Sequence, residues 1–431
     1  MRGVWVLFHR WVGLTIAGFL IVSGLTGAVI SWDHELDDLL NPHLTEVESR
    51  GPSLPPLELA HAIEQRDPRA QVTYVPLAVP EGGESLAFSV QPRVDPATGK
   101  LFEIGYNQVF VDPVRGNELG KRDWGAAWPI TRETLVSFLY VLHYSLHIPE
   151  MWGIHDWGMW LLGGIAILWT LDCFVGFYLT LPARRAPNPE RPAPVQRQLA
   201  RGWWARWAPA WKIKTSGSAF RINFDIHRAF GLWVWGLLFM LAFTSFSLNL
   251  YQEVFYPIMS TVSEVTPSPF DARERRADND PLTPVLDYAA IIDHARAEAL
   301  RRGWEAPAGG VFFARYYGIY GVSFFHPGDD HGSAGVGPPV LYFDSTDGHL
   351  LGARQPWKGT AADIFVQAQF PLHSGRILGL PGRIIVSLMG LVTAALSITG
   401  IVIWWKKRAA RQSRKITQAT RSAKAKLAPA E

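Results

Sequence analysis

Four stretches of about twenty apolar residues, 11–32, 157–181, 230–251 and 384–405, most constrain what this chain can fold into. Each is long enough to cross the hydrocarbon of a bilayer as a helix. Lipid accepts only segments that satisfy their own backbone hydrogen bonds, so helices are expected in all four. The only formal charge inside them is Asp172. The first stretch is too long, and too poorly followed by a small-residue cleavage site, to be a removable signal peptide; it reads as an uncleaved anchor.

Orientation follows from the basic residues. The loop 182–214 carries Arg184, Arg185, Arg191, Arg197, Arg201, Arg206, Lys212 and Lys214 against Glu190, and the tail after Trp405 opens KKRAARQSRK. Both are expected on the cytoplasmic side, which puts both termini inside. The segments 33–133 and 252–372 are mixed in sign with acids in excess, and fall outside; in a bacterium that is the periplasm. The one cysteine, Cys173, allows no intrachain disulfide, no cysteine-held cluster and no covalent haem attachment.

The chain is written twice. FHRWVGL opens the first span and IHRAFGL the third, 218 residues later. VFVDPVRGNELGKR (109–122) returns as LYFDSTDGHLLGAR (341–354), at an offset of 232. Leu-His follows in each half, in YVLHYSLHIP (140–149) and FPLHSGRILG (370–379), and each half closes on a late glycine before aromatics, CFVGFYL and SITGIVIWW. Each half runs span, outside segment, span in one orientation, so the two are parallel repeats about an axis along the membrane normal. Residues 54–67 and 284–302 have helical patterning, and alternating strands follow, such as Phe110, Asp112 and Val114 opposite Val109 and Val111. The D-x-x-x-G stretches 112–116 and 344–348 are hairpin signals. The loop 326–339 (HPGDDHGSAGVGPP) has no counterpart in the first half.

A helix followed by strands ending in hydrophobic-x-D-x-x-x-G-x-x-L-G resembles the PepSY domain. Two such units with HRWxG and Leu-His spans resemble the PepSY-associated membrane proteins over nearly the whole chain. LHYSLHIP, LWTLDCFVGFYLTLP and FDIHRAFGLWVW resemble most the FoxB-type ferric-siderophore reductases of the bacterial inner membrane. The resulting expectation is an α-helical membrane protein with four transmembrane helices, two periplasmic α+β (PepSY-like) domains and two parallel structural repeats. Its parts are helix one at 1–32, domain one at 33–133, an interfacial helix with helix two at 134–181 and a basic loop at 182–222. Helix three follows at 223–251, domain two at 252–372, helix four at 373–405 and a basic tail at 406–431. The resemblance implies two non-covalent b-type haems and reduction of a periplasmic iron chelate.

A polar ring in a span must be satisfied or it costs several kcal/mol. His9 and His227 occupy equivalent places near the cytoplasmic ends of spans one and three. Parallel repeats would face them across the axis, which suits the two axial nitrogens of a haem iron. The plainer reading of either alone is an interfacial anchor. Arg10 and Arg228 would pair with haem propionates or snorkel to headgroups. The glycines Gly13, Gly24, Gly27, Gly231 and Gly236 would let helices approach or leave room for a flat ring. A second pair is expected on the outer side, His373 with His143 or His147, which at i, i+4 would share a helix face. His143 is placed ahead, with His147 as a second ligand, propionate contact or proton carrier. The same i, i+4 spacing suits zinc, but no Glu lies between them. Asp172 would bond a neighbouring helix, move protons or touch a quinol.

His9 to Trp32 covers on the order of 35 Å at a helical rise, about a bilayer, so one haem near each face would make a transmembrane electron path. No nucleotide-binding glycine motif follows a strand, which leaves a separate cytoplasmic reductase or a membrane quinol as donor. The acceptor expected from the resemblance is ferric siderophore; membrane lipid is the other partner, and no nucleic acid is. Phe312, Phe313, Tyr316, Tyr317, Tyr320 and Phe324 would line such a site or, more plainly, fill a sheet core. The competing class is a membrane-tethered PepSY binding, sensor or inhibitor module without redox activity.

Overall fold

The computed structural model describes residues 2–79, 83–183 and 202–426, with side chains through 418. The basic residues Arg184, Arg185, Arg191, Arg197 and Arg201, with Glu190, lie outside the described residues, as does the end of the tail. In chain order the main helices are α1 (Arg2–Ile30), α2 (Asp33–Leu40), α3 (Pro56–Arg66), α4 (Leu135–Ser145), α5 (Trp157–Thr180), α6 (Ala219–Trp233), α7 (Trp235–Asn249), α8 (Tyr288–Arg301), α9 (Ala361–Ser374) and α10 (Leu380–Lys426). The chain forms two compact units. One comprises Met1–Ala28, His143–Leu250 and Ile385–Glu431, the other Val29–Leu142 and Tyr251–Ile384.

The first unit is helical. Among the described residues, α1, α5 and α10 are each long and apolar enough to cross a membrane, and α6 with α7 makes a fourth if the pair is one span. That pair departs from the continuous helix expected over 223–251: it bends by 71° at Val234. Gly231 and Gly236 flank the break, and glycine weakens a helix on both sides of it. The connector also pulls on α6, since Trp233 Nε1 donates to Trp211 O at 3.1 Å and Arg228 to Pro209 O at 2.8 Å. At the other extreme, the expected tail after Trp405 is a continuation of α10.

Small residues bring α1 and α10 together. A Cβ on Gly24 would lie 2.6 Å from Gly390 O, and one on Gly390 would lie 2.4 Å from Gly24 O, so only glycine fits either position. Close approach of this kind replaces the hydrophobic drive that lipid cannot supply. Elsewhere α5 and α7 pack through Cys173, Leu238, Leu241 and Ala242, with Met389 of α10.

The second unit holds one antiparallel sheet, in the order β4-β3-β2-β1-β5-β6-β7-β8. The strands are β1 (Ala70–Pro76), β2 (Leu86–Pro92), β3 (Gln108–Val111), β4 (Glu118–Arg122), β5 (Ala308–Ala314), β6 (Ile319–Phe324), β7 (Val340–Asp344) and β8 (Leu350–Arg354). The sequence reading sets two separate α+β domains here. Instead, each half contributes four strands and the halves join edge to edge, with Val75 opposite Val311. The physical reason is that two separate sheets would leave β1 and β5 as unpaired edges. Joined, they share one core: Leu59 and Ile63 from α3, Ile291 and Ala295 from α8, and Phe88, Val109, Val311, Phe313, Tyr320, Phe324 and Leu341 from the strands. Phe313, Tyr320 and Phe324 therefore fill the core rather than line an open site.

The two hairpin turns repeat one device. β3 ends at Val111, so Asp112 belongs to the turn and not to the alternating strand. Gly116 donates to Asp112 O at 2.8 Å with φ +69°, and Gly348 to Asp344 O at 3.0 Å with φ +73°, a backbone region that glycine enters without cost. Asp112 accepts from Val114 N, Arg115 N and Ser49 Oγ; Asp344 accepts from Thr346 and Arg273. Burial disfavours the charge on Asp344, but these hydrogen bonds outweigh it and hold the carboxyl well below its ordinary value. A depressed carboxyl stabilises the fold above its unfolded value of about 3.9, and that contribution is lost as pH falls through the folded value. Asp344→Asn is therefore expected to lower the stability of this unit by roughly 1–3 kcal/mol at pH 7. The gap to the parent should narrow below about pH 4. Thermal unfolding of the full chain at pH 7 and pH 3 checks it, and a gap independent of pH contradicts the account.

Candidate functional site

His9 on α1 and His227 on α6 come from segments 218 residues apart, and their rings meet with centroids 6.2 Å apart and planes inclined by 52°. Each ring is held through the same nitrogen. His9 Nδ1 donates to both carboxylate oxygens of Asp172, at 2.9 Å each. His227 Nδ1 donates to Leu396 O at 3.1 Å and to Thr399 Oγ1 at 3.0 Å. A backbone carbonyl only accepts, so the proton on His227 is at Nδ1, and Nε2 is the lone-pair nitrogen of the neutral ring. A carboxylate imposes the same choice on His9.

A third histidine repeats the arrangement. His143, in the last turn of α4, donates from Nδ1 to Ser23 O at 3.0 Å and to Thr26 Oγ1 at 3.1 Å. The acceptors are spaced alike on their helices. Ser23 and Thr26 precede Gly27 in SGLTG; Leu396 and Thr399 precede Gly400 in LSITG. The carbonyl at i accepts, the threonine at i+3 accepts, and the glycine at i+4 leaves room for the ring. A Cβ on Gly27 would lie 2.8 Å from His143 Cε1, and one on Gly400 would lie 3.3 Å from His227 Cε1. The threonine hydroxyls donate in turn to their own helix, Thr26 to Val22 O and Thr399 to Leu396 O, both at 2.8 Å. That leaves their lone pairs for the imidazole.

The stretch behind His9 is the variant of this cradle. In DCFVG, Asp172 stands where Leu396 stands in the other half, Val175 where Thr399 stands, and Gly176 where Gly400 stands. The carboxylate takes over the work of both acceptors, and a Cβ on Gly176 would be 3.6 Å from His9 Cε1. Asp172 is 8% exposed, so its charge relies on the ring it meets. Of the roles open to Asp172 in the sequence, bonding a neighbouring helix is the one observed. The T-G spacing shared by SGLTG and LSITG is the sequence signal of the other two cradles.

The remaining candidates fall out unevenly. Arg228 is committed to Asp225 (2.7 Å) and Pro209 O, and its Nε is buried with no partner among the described residues. Asp225 is fully buried between Arg221 and Arg228. Arg10 is half-buried on α1. The expectation that His147 shares a helix face with His143 is corrected: α4 stops at Ser145, and Leu146 and His147 have positive φ, +56° and +51°. His373 sits in the last turn of α9, in the sheet-bearing unit. Of the glycines, Gly24 makes the α1–α10 crossing and Gly27 accommodates His143. A Cβ at Gly13, Gly231 or Gly236 would meet no atom within 4 Å.

These features fit an axial haem site at the His9–His227 end. Two imidazoles bound through Nε2 to opposite sides of one metal, each at about 2.0–2.1 Å, put their ring centroids roughly 6 Å apart. Gly13 and Gly231, each one helical turn beyond its histidine, leave open space on the same faces. The hydrogen bonds at Nδ1 are the outer-shell partners that fix the orientation of a metal-bound histidine.

Apolar helices of spanning length joined to an antiparallel sheet unit define a membrane protein with a β-rich part. The description PepSY-associated TM region matches residues 6–407, and the chain belongs to that family. A comparison with curated proteins finds no match.

The cradle account is testable within the helical unit. Asp172→Leu should leave the His9 ring without its acceptors and cost roughly 1–3 kcal/mol. Asp172→Leu with Val175→Thr rebuilds the second-half cradle and should recover part of the loss. Thermal unfolding in detergent reads both; no recovery in the double variant argues against the shared cradle.

Proposed function

We propose that the chain is a dihaem b-type oxidoreductase of the bacterial inner membrane, with both termini cytoplasmic, that reduces ferric siderophore in the periplasm. The observation that carries the reading is the His9–His227 pair, oriented at 6.2 Å with both Nδ1 atoms engaged. Haem b, when bound, supplies one-electron redox chemistry that no side chain here provides.

The chain's own residues do the rest. His9 and His227 would hold one haem; His143 and His373 would hold the other, with His147, four residues beyond His143, as a further contact. Arg10 and Arg228 would meet propionates. Asp172 raises the donor strength of His9 relative to His227, whose partners are neutral. The donor is a cytoplasmic reductase or membrane quinol, and the acceptor a ferric chelate, because hard oxygen ligands hold Fe(III) far better than Fe(II). A tethered PepSY binding module without redox activity accounts for the sheet but gives the histidine pair no task.

The first test is the dithionite-reduced minus oxidised spectrum of the purified full chain from haem-supplied cells, with a haem count. Low-spin b-type bands at two haems per chain are expected, with one haem lost in His9→Ala or His227→Ala and the other in His143→Ala or His373→Ala. A featureless spectrum would sink the reading. Asp172→Asn should keep both haems and raise one midpoint potential by roughly 30–60 mV, since a weaker ligand favours the reduced ion. Potentiometric titration measures it.

A further inference from the structure

Away from the membrane helices, two histidines from distant parts of the chain meet a carboxylate. His34 lies on α2, and Asp330 and His331 lie in the loop between β6 and β7, whose sequence differs from that of the equally long β2–β3 loop in the first half. The rings of His34 and His331 stand edge to face with centroids 5.0 Å apart, at 84°. One donor atom from each of His34, Asp330 and His331 lies within 4.8 Å of the other two. We propose that these three residues form a binding site for a divalent first-row transition-metal ion.

The donor set has the composition such ions select. Two imidazoles with one carboxylate suit Fe(II), Co(II), Ni(II) and Zn(II), whereas Mg(II) and Ca(II) prefer oxygen alone. His34 already has the outer-shell partner of a metal-bound histidine: its Nδ1 is 3.1 Å from Asp33 Oδ1, which leaves Nε2 for the ion. Asp33 is in turn 3.5 Å from Arg376, so its own charge is balanced and the free negative charge at the site is that of Asp330.

The loop is anchored rather than loose. Gly337 N donates to His331 O at 2.8 Å, Trp357 Nε1 to Ser333 O at 3.1 Å, and Arg354 to Val336 O at 2.9 Å and Pro338 O at 3.2 Å. A tetrahedral ion with ligands at about 2.1 Å separates its donors by roughly 3.4 Å. The three exposed side chains reach that by small torsional changes. Exposure also leaves the remaining coordination positions to water or a small ligand. The other close grouping, Asp344, Asp347 and His349, differs because Asp344 is spent inside its turn on Thr346 and Arg273.

The site stands independently of the haem reading; if that reading holds, the ferrous product is an ion of this class. The test uses the tag-free full chain in detergent, stripped with chelator, titrated with Co(II) by absorption and with Zn(II) by calorimetry. One ion per chain is expected at low micromolar concentration, with Ca(II) and Mg(II) failing to compete. His331→Ala and Asp330→Asn should each weaken binding by roughly tenfold or more. All three ligands are exposed, so thermal unfolding and haem content should match the parent, which separates this test from that of the haem sites. Absence of saturable binding below about 100 µM, or binding unchanged in both variants, overturns the proposal.

Discussion

The helical unit is organised around the need to satisfy an imidazole N–H where water is scarce. A lone polar group in such surroundings costs several kcal/mol, and each of three histidines meets the requirement through Nδ1. For His143 and His227 the solution is local and repeated, a carbonyl, a threonine one turn on and a glycine after it on the facing helix; for His9 the Asp172 carboxylate takes the place of both acceptors. Helix spacing, glycine placement and threonine rotamer are consequences of seating that ring. Once Nδ1 is taken, Nε2 points elsewhere, and on His9 and His227 the two remaining nitrogens belong to rings 6.2 Å apart.

The repeats are symmetric where the rings must meet and asymmetric where their environments differ. Asp172 replaces a carbonyl and hydroxyl pair by a carboxylate behind His9 alone. The α6–α7 pair is broken at Val234, whereas α1 is continuous through the equivalent stretch. The β6–β7 loop carries Asp330 and His331, whereas the β2–β3 loop of the same length in the first half carries neither a histidine nor an equivalent pair. Duplication supplies two like histidines, and the departures make the two ends of the pair chemically different.

The sheet follows a different logic. Each half codes a helix and four strands, and neither set closes on itself. Pairing β1 with β5 removes two edges and merges two small cores into one that a single half could not fill. The repeated turn chemistry at Asp112 and Asp344 fixes the hairpins on the two outer flanks, so register is set locally while the join is set by exclusion of water.

By itself the sequence determined the apolar spans, the duplication, the hairpin turns and the identity of His9 and His227 as a matched pair, because these are periodic or positional signals carried by neighbouring residues. It also placed Asp172 inside a span without saying what it met. Tertiary structure alone decided that Asp172 faces His9, that the two outer segments share one sheet, that α4 ends before His147, and that His34 meets His331. Each depends on contacts between residues far apart in the chain, and a local pattern fixes which groups need partners but not which partners the packing brings within reach.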